Sequence, residues 1–187
     1  MTGKKRRAVY FDRDGTINTD VGYLSSPDEL EIIGGAERSI KKLNDSGVLV
    51  IVISNQSGVG RGYFAKDAVE AVNERLKSLL EAEGARLDGV YYCAHSPDEE
   101  CGCRKPKTGL ADRAAREHGI DNSSSYVVGD KASDMGLADK IGARGVLVLT
   151  GNGAKELGKL SGRPDFVAKD IAGAVEWIME DLQEGQG

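Results

Sequence analysis

The sequence predicts an α/β domain in which helices cover both faces of a mainly parallel sheet, and three observations favour this fold class. Continuous apolar, β-branched runs such as residues 48–53 are typical of strands buried on both faces. Amphipathic segments with a helical period, such as residues 66–83, stand between these runs. Strands that alternate with helices in this way imply parallel pairing, because each helix carries the chain back across the sheet.

The predicted elements follow one another without an internal repeat, a linker or a low-complexity segment. Strands are expected at residues 8–11, 48–53, 89–93, 125–128 and 145–149. Helices are expected at residues 36–45, 66–83, 108–118, 132–141 and 170–182. We therefore expect a single domain over residues 1–187, a Rossmann-like three-layer sandwich without a separate cap domain.

Composition excludes several function classes. The 187 residues are 40% hydrophobic and 29% charged, which is typical of a globular domain, and the net charge of −5 argues against nucleic-acid partners. The basic run at residues 4–7 is interpreted as a solvated leader, since no apolar signal-peptide core follows it. No apolar stretch approaches the roughly 20 residues that span a bilayer. We expect a cytoplasmic protein, a monomer, with no membrane partner.

Two carboxylates follow the first predicted strand, in the segment Asp12-Arg13-Asp14-Gly15-Thr16. Because side chains alternate along a strand, Asp12 and Asp14 begin on the same side, and Gly15 permits a sharp bend. Two close carboxylates repel each other unless a cation lies between them or one is protonated. The pair therefore indicates a divalent metal, one carboxylate free to attack an electrophile and the other placed for proton transfer. An acidic turn at a strand end is the alternative.

Polar residues also follow the second and fourth predicted strands. Residues 54–58 (Ser-Asn-Gln-Ser-Gly) offer hydroxyl, amide and backbone N–H groups that suit phosphate oxygens, although a polar turn has the same composition. In open parallel sheets, ligands bind beyond the carboxyl ends of the strands. Asp12, Ser54 and Asp130 are therefore predicted to share one edge of the sheet.

Further charged residues complete this predicted site. Asp130 at a strand end is a natural carboxylate ligand for Mg²⁺, which prefers oxygen ligands. Asp134 is either another ligand or a first-turn helix residue that the helix dipole favours. Arg104 and Lys105 add cations that can reach a phosphate, Arg104 through a planar fork and Lys105 as a point charge.

Four soft metal ligands fall within eleven residues, at Cys93, His95, Cys101 and Cys103. Three thiolates and one imidazole make a complete tetrahedral zinc set with no open position, which is typical of a structural site. We expect this zinc to hold the loop at residues 93–107 and to position Arg104 and Lys105. Unpaired thiols are the alternative, and an odd number of cysteines argues against a disulfide framework.

The motifs of this chain resemble those of the haloacid dehalogenase superfamily of phosphohydrolases, whose first motif is Asp-x-Asp-Gly-Thr. Within the superfamily they resemble the heptose bisphosphate phosphatases, a group related to histidinol-phosphate phosphatases. The motifs that carry the resemblance appear in the expected order over residues 8 to 150. They are Asp12-Arg13-Asp14-Gly15-Thr16-Ile17-Asn18, Gly22-Tyr23, Ser54-Asn55-Gln56-Ser57-Gly58, Cys101-x-Cys103-Arg104-Lys105-Pro106 and Gly129-Asp130-Lys131.

The resemblance implies a phosphatase that works through an aspartyl-phosphate intermediate. By that resemblance Asp12 is the nucleophile, and Asp14 protonates the leaving oxygen and then activates water. Ser54 and Lys105 would hold the transferring phosphoryl group, and Arg104 would recognise the substrate. Phosphoryl transfer depends mostly on positioning and charge neutralisation, which these residues can supply.

The resemblance also implies the ligands and the substrate. Mg²⁺ would bind Asp12, the backbone carbonyl of Asp14, and Asp130. The implied substrate is D-glycero-D-manno-heptose 1,7-bisphosphate, which would lose its 7-phosphate. Its β anomer would serve lipopolysaccharide precursors, the route we favour, and its α anomer would serve nucleotide-activated heptose. Histidinol phosphate is the alternative substrate, and a non-catalytic, zinc-stabilised binding module is the remoter alternative. The implied substrate-binding residues are Asp20, Val21, Gly22, Tyr23, Ser54, Asn55, Gln56, Ser57, Arg104, Lys105 and Lys131.

Overall fold

The computed structural model describes residues 5–184, so the first residue of the basic run, Lys4, lies outside the described residues. Within residues 5–184, six strands form one parallel sheet in the order β3-β2-β1-β4-β5-β6. The strands are β1 (Ala8–Phe11), β2 (Leu49–Asn55), β3 (Gly89–Cys93), β4 (Tyr126–Gly129), β5 (Arg144–Val148) and β6 (Phe166–Ala168). The predicted α/β fold class with a parallel sheet is confirmed.

In the part of the chain that the structure describes, seven α-helices connect or flank the strands. They are α1 (Ala36–Asp45), α2 (Ser57–Gly60), α3 (Lys66–Ala82), α4 (Gly109–His118), α5 (Ala132–Ile141), α6 (Gly153–Glu156) and α7 (Ile171–Glu184). Single 3₁₀ turns lie at Pro27–Glu29, Asn122–Ser124 and Leu157–Lys159. The predicted elements agree with these bounds to within two residues. The sequence patterns missed β6, α2 and α6, which are too short to show a hydrophobic period.

The core has two apolar layers, one on each face of the sheet, because successive side chains of a strand point to opposite faces. Val9 and Phe11 of β1 belong to one layer, with apolar residues of α1, α3 and α7. Ala8 and Tyr10 belong to the other, with apolar residues of α4 and α5. Helices therefore cover both faces of the sheet, and the predicted three-layer sandwich is correct.

The strand order places the site. The chain leaves β1 toward β2 and β3 on one side and later returns to β4 on the other, so the loops after β1 and β4 diverge at a topological switch point. The loop after β2 lies beside them. Across residues 12–35, between β1 and α1, the structure contains one 3₁₀ turn and isolated bridges and no cap domain. Among the helices described, none is both long enough and apolar enough to cross a membrane.

Candidate active site and metal centres

A cavity of about 370 Å³ opens at the carboxyl ends of the strands. Its walls come from the loops that follow β1, β2, β3 and β4, which meet there because parallel strands end at the same edge. The lining residues are Asp12, Asp14, Asp20, Gly22, Tyr23, Asn55, Gln56, Ser57, Gly58, Arg104, Lys105, Lys131 and Ser133.

Lys105 and Asp12 form a buried ion pair in this cavity. Lys105 Nζ donates to Asp12 Oδ1 at 2.8 Å and to the carbonyl oxygen of Ile53 at 2.6 Å. Burial by itself would raise the pKa of Asp12, but the charges of Lys105 and Lys131 lower that pKa to about 2. Asp12 is therefore ionised at neutral pH, and an ionised carboxylate is able to act as a nucleophile.

Asp134 and Asn55 hold Lys105 in place. Asp134 Oδ1 lies 2.7 Å from Lys105 Nζ, and its Oδ2 accepts the backbone N–H of Lys131 at the start of α5, at 3.1 Å. Burial raises the pKa of Asp134 to about 6, against the lowering effect of Lys105. The Asn55 side chain pairs with the backbone of Lys105, accepting its N–H at 3.0 Å and donating to its carbonyl oxygen at 3.2 Å.

Asp130 and Asp12 present carboxylate oxygens to the same space, within 4.8 Å of an oxygen of Asp134. Asp130 is fully buried, and its Oδ2 accepts the backbone N–H of Asn152 at 2.7 Å. Its Oδ1 is buried, and its near neighbour is the Lys131 ammonium at 3.3 Å. Burial raises the pKa of Asp130, with Asp12 adding to the effect. Close, buried carboxylates fit a hard divalent cation such as Mg²⁺.

Lys131 Nζ lies among the same oxygens, 3.4 Å from Asp12 Oδ2, 3.2 Å from the carbonyl oxygen of Asp14 and 3.3 Å from Asp130 Oδ1. It also lies 3.4 Å from Asp20 Oδ2. Burial would lower the pKa of Lys131, but the surrounding carboxylates raise it. Lys131 therefore stays charged and neutralises part of the acidic cluster.

The side chain of Asp14 is held by three other residues. Arg13 donates to both carboxylate oxygens, Asn18 Nδ2 donates to Oδ1 at 2.9 Å, and Gln56 Nε2 donates to Oδ2 at 2.8 Å. Arg13 is fully buried and did not stand out in the sequence, where one arginine between two aspartates gives no sign of its environment. Asp12 and Asp14 thus each have a cation of their own, which reduces their mutual repulsion.

Cys93, His95, Cys101 and Cys103 come together in the loop after β3, with one ligand atom of each within 4.8 Å of the others. Cys93 Sγ lies 3.7 Å from Cys101 Sγ, and His95 Nδ1 lies 3.5 Å from Cys93 Sγ and 3.3 Å from Cys103 Sγ. Three sulfurs and one imidazole nitrogen at these separations fit a tetrahedral zinc ion. All three cysteines are free of disulfides.

The HAD-hydrolase-like family model matches residues 102–174. The chain is also 42% identical to the D-glycero-D-manno-heptose-1,7-bisphosphate 7-phosphatase of Thermosynechococcus vestitus, over 95% of this chain and 97% of that protein. The chain belongs to this phosphatase family. It is 38% identical to the D-glycero-beta-D-manno-heptose-1,7-bisphosphate 7-phosphatase of Haemophilus ducreyi, over 92% of this chain and 98% of that protein.

A solved structure of the heptose bisphosphate phosphatase family has the same fold. The D,D-heptose 1,7-bisphosphate phosphatase of B. bronchiseptica, complexed with magnesium and phosphate, superposes with a TM-score of 0.88 and is 32% identical. The match covers 94% of this chain and 99% of that chain. The relative from Burkholderia thailandensis gives a TM-score of 0.73 at 30% identity, over 93% of this chain and 99% of that chain.

Not all of the predicted site residues of this family member line the cavity. Most of them line the cavity, but Ser54 is buried beside Gln56, and Val21 is 53% exposed and outside the lining. Arg104 lines the cavity, and its Nη1 is buried with no hydrogen-bond partner among residues 5–184. Asn152, which lies between two glycines, was not identified from the sequence.

Asn152 joins the loop after β5 to the acidic cluster. Its backbone N–H donates to Asp130 Oδ2, and its side chain donates to Asp20 Oδ2 at 3.1 Å. The glycine neighbours of Asn152 gave only a turn signal in the sequence. Its role depends on the position of β5 beside β4, which no local pattern contains.

Proposed function

We propose that this chain removes the 7-phosphate of D-glycero-β-D-manno-heptose 1,7-bisphosphate and leaves heptose 1-phosphate. One observation carries the proposal: Asp12, ionised beside Lys105, faces a polar cavity next to the buried carboxylate of Asp130. A carboxylate nucleophile, a phosphate-binding cation and a metal site within one cavity are the parts that phosphoryl transfer needs. Membership of the heptose bisphosphate phosphatase family supports the choice of sugar.

In the first half-reaction, an Asp12 oxygen attacks the phosphorus of the 7-phosphate. The bond from phosphorus to the sugar oxygen breaks, and Asp14 gives its proton to that leaving oxygen. Water then attacks the phosphoaspartate, Asp14 takes a proton from the water, and the bond from phosphorus to Asp12 breaks. Inorganic phosphate leaves, and both aspartates return to their starting states.

We assign the anionic oxygens of the substrate to the cations and hydroxyls around Asp12. Lys105 and Ser54 hold the transferring phosphoryl group, and Lys105 is within hydrogen-bond reach of the nucleophile. Arg104 recognises the substrate, because its buried Nη1 needs an acceptor and an anion supplies one. The sugar would contact Asp20, Val21, Gly22, Tyr23, Asn55, Gln56, Ser57 and Lys131.

Two metal ions belong to this proposal. Mg²⁺ would bind Asp12, the carbonyl oxygen of Asp14, and Asp130; when bound it supplies positive charge that neutralises the phosphoryl oxygens. Zn²⁺ would bind Cys93, His95, Cys101 and Cys103 and fix the loop at residues 93–107. The donor sets fit, since the first is made of oxygens and the second of sulfur and imidazole nitrogen.

We also propose that residues 1–187 act as one domain, as a monomer and in the cytoplasm. The residues assigned above to catalysis, substrate and metals all belong to one chain, so the proposed mechanism uses no second copy. A reducing compartment suits three free cysteines that serve as metal ligands.

The test is phosphate release by purified protein with Mg²⁺ from both anomers of heptose 1,7-bisphosphate and from histidinol phosphate. We expect the β anomer to exceed the other two by about 100-fold in kcat/KM, roughly 3 kcal/mol of discrimination in the transition state. Histidinol phosphate is the second candidate because the zinc loop is short, with only five residues between His95 and Cys101, and in this it also resembles the histidinol-phosphate phosphatases. A preference for histidinol phosphate would overturn the substrate but keep the chemistry. Inactivity on all three would overturn the proposed function.

A further inference from the structure

Arg13 is a fully buried arginine whose guanidinium faces the carboxylate of Asp14. Its Nη2 lies 3.0 Å from both Oδ1 and Oδ2, and its Nε lies 3.2 Å from Oδ1. Arg13 does not line the cavity, whereas Asp14 does. Any effect of Arg13 on a bound substrate must therefore pass through Asp14.

Asn73 contacts the Arg13 guanidinium at its remaining nitrogen, Nη1. Arg13 Nη1 donates to Asn73 Oδ1 at 2.8 Å, and Asn73 is a buried residue in the middle of α3. A buried asparagine among the apolar residues of a helix is costly unless its polar atoms are paired. Asn73 thus ties the orientation of Arg13, and with it the plane of the Asp14 carboxylate, to a long helix of the scaffold.

The remaining contacts divide the two oxygens of Asp14 between a scaffold side and a cavity side. Asn18, which is fully buried, donates to Oδ1. Gln56, which lines the cavity, donates to Oδ2. Arg13 contacts both oxygens, but the other partner of Oδ1, Asn18, lies outside the cavity lining, whereas the other partner of Oδ2, Gln56, sits where a substrate can replace it.

We propose that Arg13 is a positioning residue for the proton transfer by Asp14, holding the plane of the carboxylate so that Oδ2 faces the cavity and exchanges the proton there. The inference rests on the proposed function, in which Asp14 acts as acid and then as base. A planar guanidinium that contacts both oxygens fixes the rotation of the carboxylate about its last bond, which a single ammonium does not. Misplacement of a catalytic group by a fraction of an ångström lowers the rate of proton transfer.

The test compares two substrates that differ in their need for an acid. The sugar oxygen of heptose 1,7-bisphosphate needs a proton as it leaves, whereas the phenolate of 4-nitrophenyl phosphate leaves without one. Single-turnover rates of the first half-reaction are measured with Mg²⁺ for wild type, Asp14→Asn, Arg13→Lys and Asn73→Ser. Arg75→Lys on the exposed side of α3 is the matched control, and circular dichroism and thermal unfolding report folding.

We expect Asp14→Asn to lower the single-turnover rate at least about 100-fold with the sugar phosphate and less than about 5-fold with the aryl phosphate. Arg13→Lys keeps the positive charge but loses the planar guanidinium that contacts both oxygens of Asp14. Its rate with the sugar phosphate should fall roughly 30-fold, and its rate with the aryl phosphate should change little. Asn73→Ser removes the amide that orients the guanidinium but leaves the contacts of Asp14 in place. It should lower the rate with the sugar phosphate by a smaller factor, again with little effect on the aryl phosphate. Arg75→Lys should equal wild type with both substrates.

Three results would overturn the positioning role, and they differ from one another. Equal losses of Arg13→Lys with both substrates mean that Arg13 is only structural, and wild-type rates with both mean that it is dispensable. If Asp14→Asn lowers the rates with both substrates equally, Asp14 is not the acid, and the assigned role of Arg13 fails with it. A wild-type protein that hydrolyses neither substrate would instead overturn the proposed function itself.

Discussion

Lys105 Nζ donates to Asp12 Oδ1 at 2.8 Å, although the two residues are 93 positions apart in the sequence. Both side chains are almost completely buried. The ion pair keeps the pKa of Asp12 low in surroundings that would otherwise raise it. One lysine thus joins the loop after β3 to the end of β1 and sets the charge of the proposed nucleophile.

Removal of Lys105 should destabilise the fold. Lys105→Met leaves Asp12 and Asp134 as buried carboxylates without their shared cation, and breaking a buried pair in this way costs about 3–5 kcal/mol. Urea unfolding at neutral pH measures the loss. The control is Lys77→Met, which removes an exposed pair with Glu74 and should cost less than about 1 kcal/mol. Similar losses for the two variants would contradict the role of Lys105.

The low pKa of Asp12 gives its contribution to stability a defined pH range. Its folded-state pKa of about 2 lies below the ordinary value of 3.8, so its stabilising effect is present above pH 3.8 and is lost as the pH falls toward 2. We therefore expect the difference in unfolding free energy between wild type and Asp12→Asn to shrink from pH 6 to about pH 3. A difference that stays constant over this range would show that the pKa of Asp12 is not lowered.

The zinc loop should position Arg104 and Lys105, which follow Cys103 directly. Cys103→Ser should lower the zinc content and reduce kcat/KM by about 10- to 100-fold even at saturating Mg²⁺. Metal analysis and activity measurements on the same samples test this link. Gly102→Ala is a matched control, because a methyl group at residue 102 meets no atom within 4 Å. Loss of zinc with full activity would separate the loop from catalysis.

Gly15 brings the backbone of the first loop against Asp130. Gly15 has a φ of +90°, and a Cβ atom there would collide with the Asp130 carboxylate. Gly15→Ala should therefore displace a proposed Mg²⁺ ligand and weaken Mg²⁺ binding at least about 10-fold, which calorimetric titration measures. Gly47→Ala also has a positive φ but open space around it, so it should lose stability without changing Mg²⁺ affinity. Equal Mg²⁺ affinities in all three proteins would argue against Asp130 as a ligand.

The candidate site was predictable where the chemistry lies in a short motif. Asp12 and Asp14 are two residues apart, and the four zinc ligands lie within eleven residues, so spacing alone suggested both sites. The placement of Asp12, Ser54 and Asp130 at one edge of the sheet followed from the parallel topology. The pairing of Arg13 with Asn73 could not be found in this way, because the two residues are 60 positions apart on different elements and their residue types do not show that they are buried.

The sequence by itself determined the fold class, the strands and helices with strong hydrophobic periods, and the residue types at the strand ends, because these depend on local patterns and on the burial of apolar residues. Only the tertiary structure decided which cation serves which carboxylate. Lys105 pairs with Asp12 and Asp134, and Lys131 also pairs with Asp12. Those pairings depend on the strand order, which brings β1, β2 and β4 together and carries distant side chains into one cavity where water no longer screens their charges.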